Sequence, residues 1–188
     1  MNRFIKMKGV VFMPKIIENV RGMLINEAKR QISENGYESV TIRGIAKGCS
    51  LGLGTFYNYF KSKDLLIASF LLEDWQERMQ RVTQMTESIQ DPMEIVRALH
   101  EEISAFIDAN INIFNSPNAK KAFETTVGTY HRLLRAQISA PILTVCKAAG
   151  YENPEFLADF VAEAMLTWTV ARKSFDEISS LVSKLFVK

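Results

Sequence analysis

The sequence predicts an all-α fold, with a small N-terminal head of three helices followed by a larger helical body. Three observations lead there. Apolar residues recur three and four apart along most of the chain, the spacing of one helical face. No stretch alternates apolar and polar residues between hairpin turns, so strands are not expected. Helix-start residues (Thr41, Ser62, Asp91, Asn153, Ser174) and breaking glycines (Gly36, Gly48, Gly150) punctuate the chain at helix-length intervals.

Taken in order, the first helix is predicted over about 17–35, ending at Gly36. Its stripe is Val20, Leu24, Ala28 and Ile32, and Gly22 within it costs up to about 1 kcal/mol relative to alanine. Tyr37 and Val40 close the head over that stripe. Thr41 caps a second helix whose Ile42, Ile45 and Ala46 face the core. This helix stops at the glycine-containing turn 48–52, and a third helix runs from Gly52 or Leu53 to about Asn58. Two short helices around a tight turn form a helix-turn-helix, whose second helix can enter a DNA major groove. That second helix offers Leu53, Thr55, Tyr57 and Asn58. Tyr59 and Phe60 are expected to plug the head onto a long helix over about 63–86. There Ser62 is the cap, and Leu65, Leu72 and Met79, with Ala68, Trp75 and Val82, form heptad-like rows.

In the body, Asp91-Pro92 restarts the chain, and Met93–Ala109 carries Ile95, Leu99, Ile103, Phe106 and Ile107. A short piece spans Ile111–Phe114. An amphipathic helix covers about 119–140, after which Pro141 and Gly150 are expected to divide the chain. Asn153-Pro154 opens a helix with Phe156, Phe160, Ala164 and Trp168 in one line, flanked by Leu157, Val161 and Met165. Ser174 and Glu177 form a capping box at the head of a last helix carrying Phe175, Ile178, Leu181, Val182 and Leu185.

The charge is unevenly spread. Residues 1–65 carry eleven Lys and Arg against five Asp and Glu, a net +6. Residues 66–188 carry twelve against sixteen, a net −4. A basic head on an acidic body suits a nucleic-acid partner for the head alone. Cys49 and Cys146 have neither zinc nor C-x-x-C spacing, and no run of about 18 apolar residues exists. These features predict a cytoplasmic protein without membrane contact. The first residues resemble a signal peptide only superficially, since lysines interrupt them. Met13 begins a second plausible start, so residues 1–12 are either an upstream extension or a basic arm (Arg3, Lys6, Lys8) reaching DNA. His100 and His131 are the sole histidines, and no nucleophile, phosphate-loop or metal-protease motif accompanies them. Glu101-Glu102 beside His100 reads as a solvated helix face. No enzyme activity, metal or cofactor is expected.

The head carries a more specific signal. Gly36-Tyr37, then Thr41-Ile42-Arg43-Gly44-Ile45-Ala46, then Gly54-Thr55-Phe56-Tyr57-Asn58-Tyr59-Phe60-Lys61-Ser62-Lys63 stand in order and at fixed spacing. Over about residues 16–75 the chain resembles the tetracycline-repressor (TetR) family of transcriptional regulators. It departs from the family in two places: Ser50 stands where a turn glycine is usual, and Gly52 where a serine usually opens the recognition helix. The resemblance implies domains at 13–62 for DNA binding and 63–188 for effector binding and dimerisation. It implies DNA contacts by Thr41, Arg43, Leu53, Gly54, Thr55, Tyr57 and Lys63, the last two to phosphates, with Lys61 a weaker candidate. It also implies a homodimer on a palindromic operator, released by a small effector. Phe106, Phe114, Phe123, Tyr130, His131, Met165 and Trp168 are the candidate effector lining, chosen for aromatic and apolar character. Phe156, Phe160, Val161, Ala164, Trp168, Leu181, Val182 and Leu185 are the candidate dimer interface, since the last two helices carry more apolar residues than one core stripe needs. The alternative is a body that recruits a protein partner in place of a small ligand.

Overall fold

The computed structural model describes residues 19–187, excluding the side chains of residues 120 and 122–130. The predicted extension or arm at 1–12 and the start of the first helix lie outside those residues. Among the described residues the elements are helical, without a strand: α1 (Val20–Asn35), α2 (Ile42–Gly48), α3 (Leu53–Tyr59), α4 (Lys63–Met85), α5 (Pro92–Ala109), α6 (Ile111–Phe114), α7 (Pro117–Ala148), α8 (Pro154–Val170) and α9 (Phe175–Val182). Short 3₁₀ turns occupy Tyr37–Ser39 and Ser183–Phe186.

The capping residues do their expected work. Thr41 accepts from the Gly44 N–H at 3.0 Å, Ser62 from Leu65 at 3.1 Å and Asp91 from Met93 at 2.9 Å. Ser174 and Glu177 make the reciprocal capping box. Lys173 and then the Ser174 backbone and hydroxyl hold the Glu177 carboxyl down at about 2. Asn153 occupies the N-cap position of α8 in a left-handed conformation, and its side chain makes no capping bond.

Two apolar clusters result. The head cluster joins Val20, Leu24, Ile25, Ala28 and Ile32 of α1 to Tyr37, Val40, Ile45, Ala46, Phe56 and Phe60. It continues beyond the three head helices, taking Leu66, Ile67 and Phe70 from α4, Ile113 from α6 and Ala119 from α7. The body cluster packs α5, α7, α8 and α9 against the distal half of α4.

Four expectations need correction. Pro141 does not divide the chain: α7 continues through it to Ala148 and ends where Gly150 turns left-handed, φ 72°. A helix-interior proline costs roughly 3 kcal/mol. Ile138, Ile142 and Val145 around it are all buried, and each gains about 1.5–3 kcal/mol on leaving water. Along α4 the buried row is Leu66, Ile67, Phe70, Trp75, Met79 and Val82, whereas Leu65 is exposed. The heptad reading began one residue early and so pointed that end of the stripe outward. Tyr59 is exposed, leaving Phe60 alone to plug the head. Finally, Val161 and Met165 of α8 and Val182 of α9 are buried within the body itself. Each helical residue advances about 100°, so Val161 turns inward as Phe160 turns outward.

Candidate DNA interface and body sites

The turn between α2 and α3 is built by its backbone. The Leu51 N–H reaches the Ala46 carbonyl at 2.8 Å and the Ser50 N–H the Lys47 carbonyl at 2.9 Å. This closure requires a left-handed residue at Ser50, φ 57°. The family glycine would adopt that conformation freely, and serine holds it at a cost. The Cys49 thiol donates to the Met23 carbonyl at 3.4 Å, and burial, then Glu27, raise its pKa, which suits a structural thiol.

Phe56, with no exposed surface, anchors α3 in the head core. Anchoring it fixes the opposite face. Leu53 and Tyr57 are exposed, and Gly54 and Asn58 lie on the same solvent side, with Thr55 partly covered. The Tyr57 ring stands edge-on to Phe56 at 5.7 Å, which sets its direction. Gly54 has ordinary helical φ, and a Cβ added there would meet nothing within 4 Å. Neither backbone conformation nor internal packing therefore calls for glycine. Thr41, Arg43, Lys47 and Lys61 are exposed around the helix-turn-helix. Lys63 is engaged inside the protein. Its Nζ donates to the Tyr37 carbonyl at 3.2 Å and lies 4.0 Å from the Tyr37 ring centroid. The Tyr37 hydroxyl in turn donates to Asp64 Oδ1 at 2.5 Å, and burial, then Asp64, push its pKa up.

The head is tied to the body at several points. Glu38 accepts from Ser116 Oγ at 2.5 Å and from Asn118 Nδ2, at the first turn of α7. These bonds hold its carboxyl below the usual range. Asn112 Nδ2 donates to the Ile32 carbonyl at 3.4 Å, and Arg21 pairs with Glu73. Sequence reading missed Glu38, because its partners lie 78 and 80 residues away.

The candidate effector residues whose side chains are described lie in separate places. Phe106 packs against Trp75 at 5.3 Å and Phe114 at 5.6 Å, an aromatic row between α4, α5 and α6. His131 sits 3.5 Å from Glu163 near the surface. Met165 has no exposed surface to offer a ligand, which removes it from the lining. Trp168 borders a groove between α8 and α9. The side chains of Phe123 and Tyr130 lie outside those described. One residue the sequence gave no reason to single out is Thr169. It is 1% exposed, and its hydroxyl has no hydrogen-bond partner among the described residues. Glu102 is taken by Arg78 and Arg81, and His100 Nε2 lies 3.0 Å from the Lys173 carbonyl.

On α8 and α9, Phe156, Phe160, Leu181 and Leu185 are exposed, with Ala164 and Trp168 partly so. Phe156 and Phe160 stack on one another at 6.4 Å. Val161 and Val182 face away from this surface and are withdrawn from the interface. Among the described residues no helix is long and apolar enough to cross a membrane.

A helix-turn-helix head with an exposed recognition helix, carried on a helical body, defines a class of DNA-binding regulators. Residues 24–70 match the model of bacterial regulatory proteins of the tetR family. Among curated relatives, the HTH-type transcriptional regulator UidR of Escherichia coli is 35% identical over 69 residues, covering 37% of this chain and 35% of UidR. HbdR of Aromatoleum sp. is 26% identical over 151 residues, covering 78% of this chain and 66% of HbdR. The matched part thus spans about a third of UidR. A transcriptional regulator from Cytophaga hutchinsonii superposes with a TM-score of 0.61 at 16% identity, over 87% of this chain and 93% of that one, which extends the shared fold to the body.

Proposed function

We propose that this protein is a cytoplasmic transcriptional regulator, a repressor that binds a palindromic operator as a homodimer and leaves it when a small, mainly apolar effector occupies the body. The observation that carries the reading is the outward face of α3. Leu53, Gly54 and Tyr57 are exposed there, over a buried Phe56. Glycine at 54 has no internal purpose, and close approach of a DNA backbone supplies one. Leu53 and Thr55 are assigned to bases, where an apolar side chain can meet a thymine methyl. Thr41, Arg43 and Tyr57 are assigned to positioning contacts, with the phosphate role of Lys63 limited by its bond to Tyr37. A two-fold pair would set two α3 helices about 34–36 Å apart, in successive major grooves. The exposed Phe156, Phe160, Leu181 and Leu185 supply the surface for that pairing. The unpartnered Thr169 hydroxyl favours a small-ligand body over a partner-recruiting one, because a ligand acceptor there would relieve a buried orphan. Repression is relieved only by an effector that prefers the DNA-incompetent state.

Operator selection from random DNA, followed by binding of variants at several salt concentrations, tests the reading. Arg43→Ala is expected to weaken all sequences alike and, if the contact is to phosphate, to lower the salt slope by about one. Leu53→Ala is expected to change sequence preference. Failure of the intact protein to select any sequence would refute the proposal.

A further inference from the structure

A cleft of about 350 Å³ lies where head meets body, between α1, the middle of α4 and the α5–α6 corner. It is separate from the aromatic row of the body and from the α8–α9 groove. Most polar groups lining it are already committed to one another. Asp74 accepts from Arg78 Nε at 3.0 Å and from Asn110 Nδ2 at 3.3 Å. Arg78 also donates to Glu102 at 3.0 Å, Asn110 to the Phe106 carbonyl at 2.9 Å, and Asn112 to the Ile32 carbonyl. Two groups stand apart. Lys29 has no carboxylate partner among the described residues, its Nζ lying 5.0 Å from the Phe70 ring centroid. The Ser33 hydroxyl makes no hydrogen bond among the described residues. Lys29 and Ser33 are one turn apart on the same face of α1. They offer an ammonium and a hydroxyl at the mouth of a cleft whose other cation is already neutralised.

We infer that this cleft binds a compact organic carboxylate, gripped by Lys29 and Ser33 of the head and backed by the body wall at Ala109–Ile113. The ammonium donates to one carboxylate oxygen and the hydroxyl to the other, a charge-assisted arrangement. The volume stands at the small end of the roughly 300–1,000 Å³ typical of ligand pockets, which restricts the occupant to a small acid. Such an occupant would touch α1 on one side and the α5–α6 corner on the other. It would therefore respond to the angle between head and body, and so bias DNA binding by its preference between two angles. That coupling rests on the regulator reading above, whereas the site does not.

Amide NMR of the full-length chain, titrated with benzoate, acetate or hexanoate against equal chloride, tests the site. At least one acid is expected to shift the amides of Ser33, Ala109 and Asn112, while benzamide leaves them in place. Lys29→Gln should weaken that binding by about tenfold and Lys29→Arg should retain it. Silence toward all three acids, equal shifts from benzamide, or unchanged affinity in Lys29→Gln would overturn the site. Operator affinity measured alongside separates the two claims. A change with the acid in the unmodified protein, absent in Lys29→Gln, supports the coupling. Acid binding with unchanged operator affinity refutes the coupling and leaves the site standing. An intact protein that binds the acid but no DNA counts against the regulator reading alone.

Discussion

At Gly54, helix stability and the proposed DNA contact pull in different directions. Glycine in an exposed helix interior costs about 1 kcal/mol relative to alanine. Gly54→Ala meets no neighbouring atom, so it should raise the unfolding free energy by up to that amount while weakening operator binding. A variant that is more stable and binds DNA undiminished would remove Gly54 from the interface. Ser50 is the opposite case, a left-handed residue with a Cβ. Ser50→Gly should stabilise the turn by about 1 kcal/mol in chemical denaturation, with little change at α3. Both sites were legible in the sequence, Ser50 as a departure from the family pattern and Gly54 as part of the motif that matches it. The sequence did not expose the partner of Lys63. That lysine reads as a free cation until the fold brings the Tyr37 carbonyl and ring beneath it.

Among the elements, α7 carries the link between body and head. Ser116 caps α7 by accepting from the Ala119 N–H at 3.0 Å, and its own proton goes to Glu38 in the head. Glu38→Gln should leave α7 intact but loosen its first turn. Hydrogen exchange at Ala119 should quicken while α8 amides keep their protection. At the other end of the body, Glu177 ties α9 into its capping box. Its folded pKa, about 2, lies below the ordinary 4.5. A depressed carboxyl stabilises fully above 4.5, and that contribution disappears as pH falls from 4.5 through 2. Glu177→Gln should therefore flatten this segment of the acid-unfolding curve and leave the neutral-to-alkaline side unchanged in shape. Caps of this kind were legible because they are local in sequence. The continuity of α7 through Pro141 was not, since proline signals a break locally and the burial that overrides it comes from α8 and the rest of the body.

For the whole molecule, the apolar surplus on α8 and α9 was visible in composition, but its direction was not. Counting apolar residues could not separate Phe160, which faces out, from Val161, which packs in. Phe160→Glu is expected to give folded monomers with reduced operator affinity, while Val161→Glu should unfold the body. Sedimentation and circular dichroism distinguish these outcomes, and a Phe160→Glu protein that still sediments as a dimer would move the interface elsewhere. The head cluster is likewise a product of the full chain, because Phe70, Ile113 and Ala119 complete it from outside the helix-turn-helix. The reading head is accordingly not a cassette. A chimera that grafts residues 13–62 onto a foreign body would leave the undersides of Ile32 and Phe60 to be matched by whatever corner the host presents. Operator specificity should transfer between relatives only when the α6–α7 corner, Asn112 through Ala119, travels with the head.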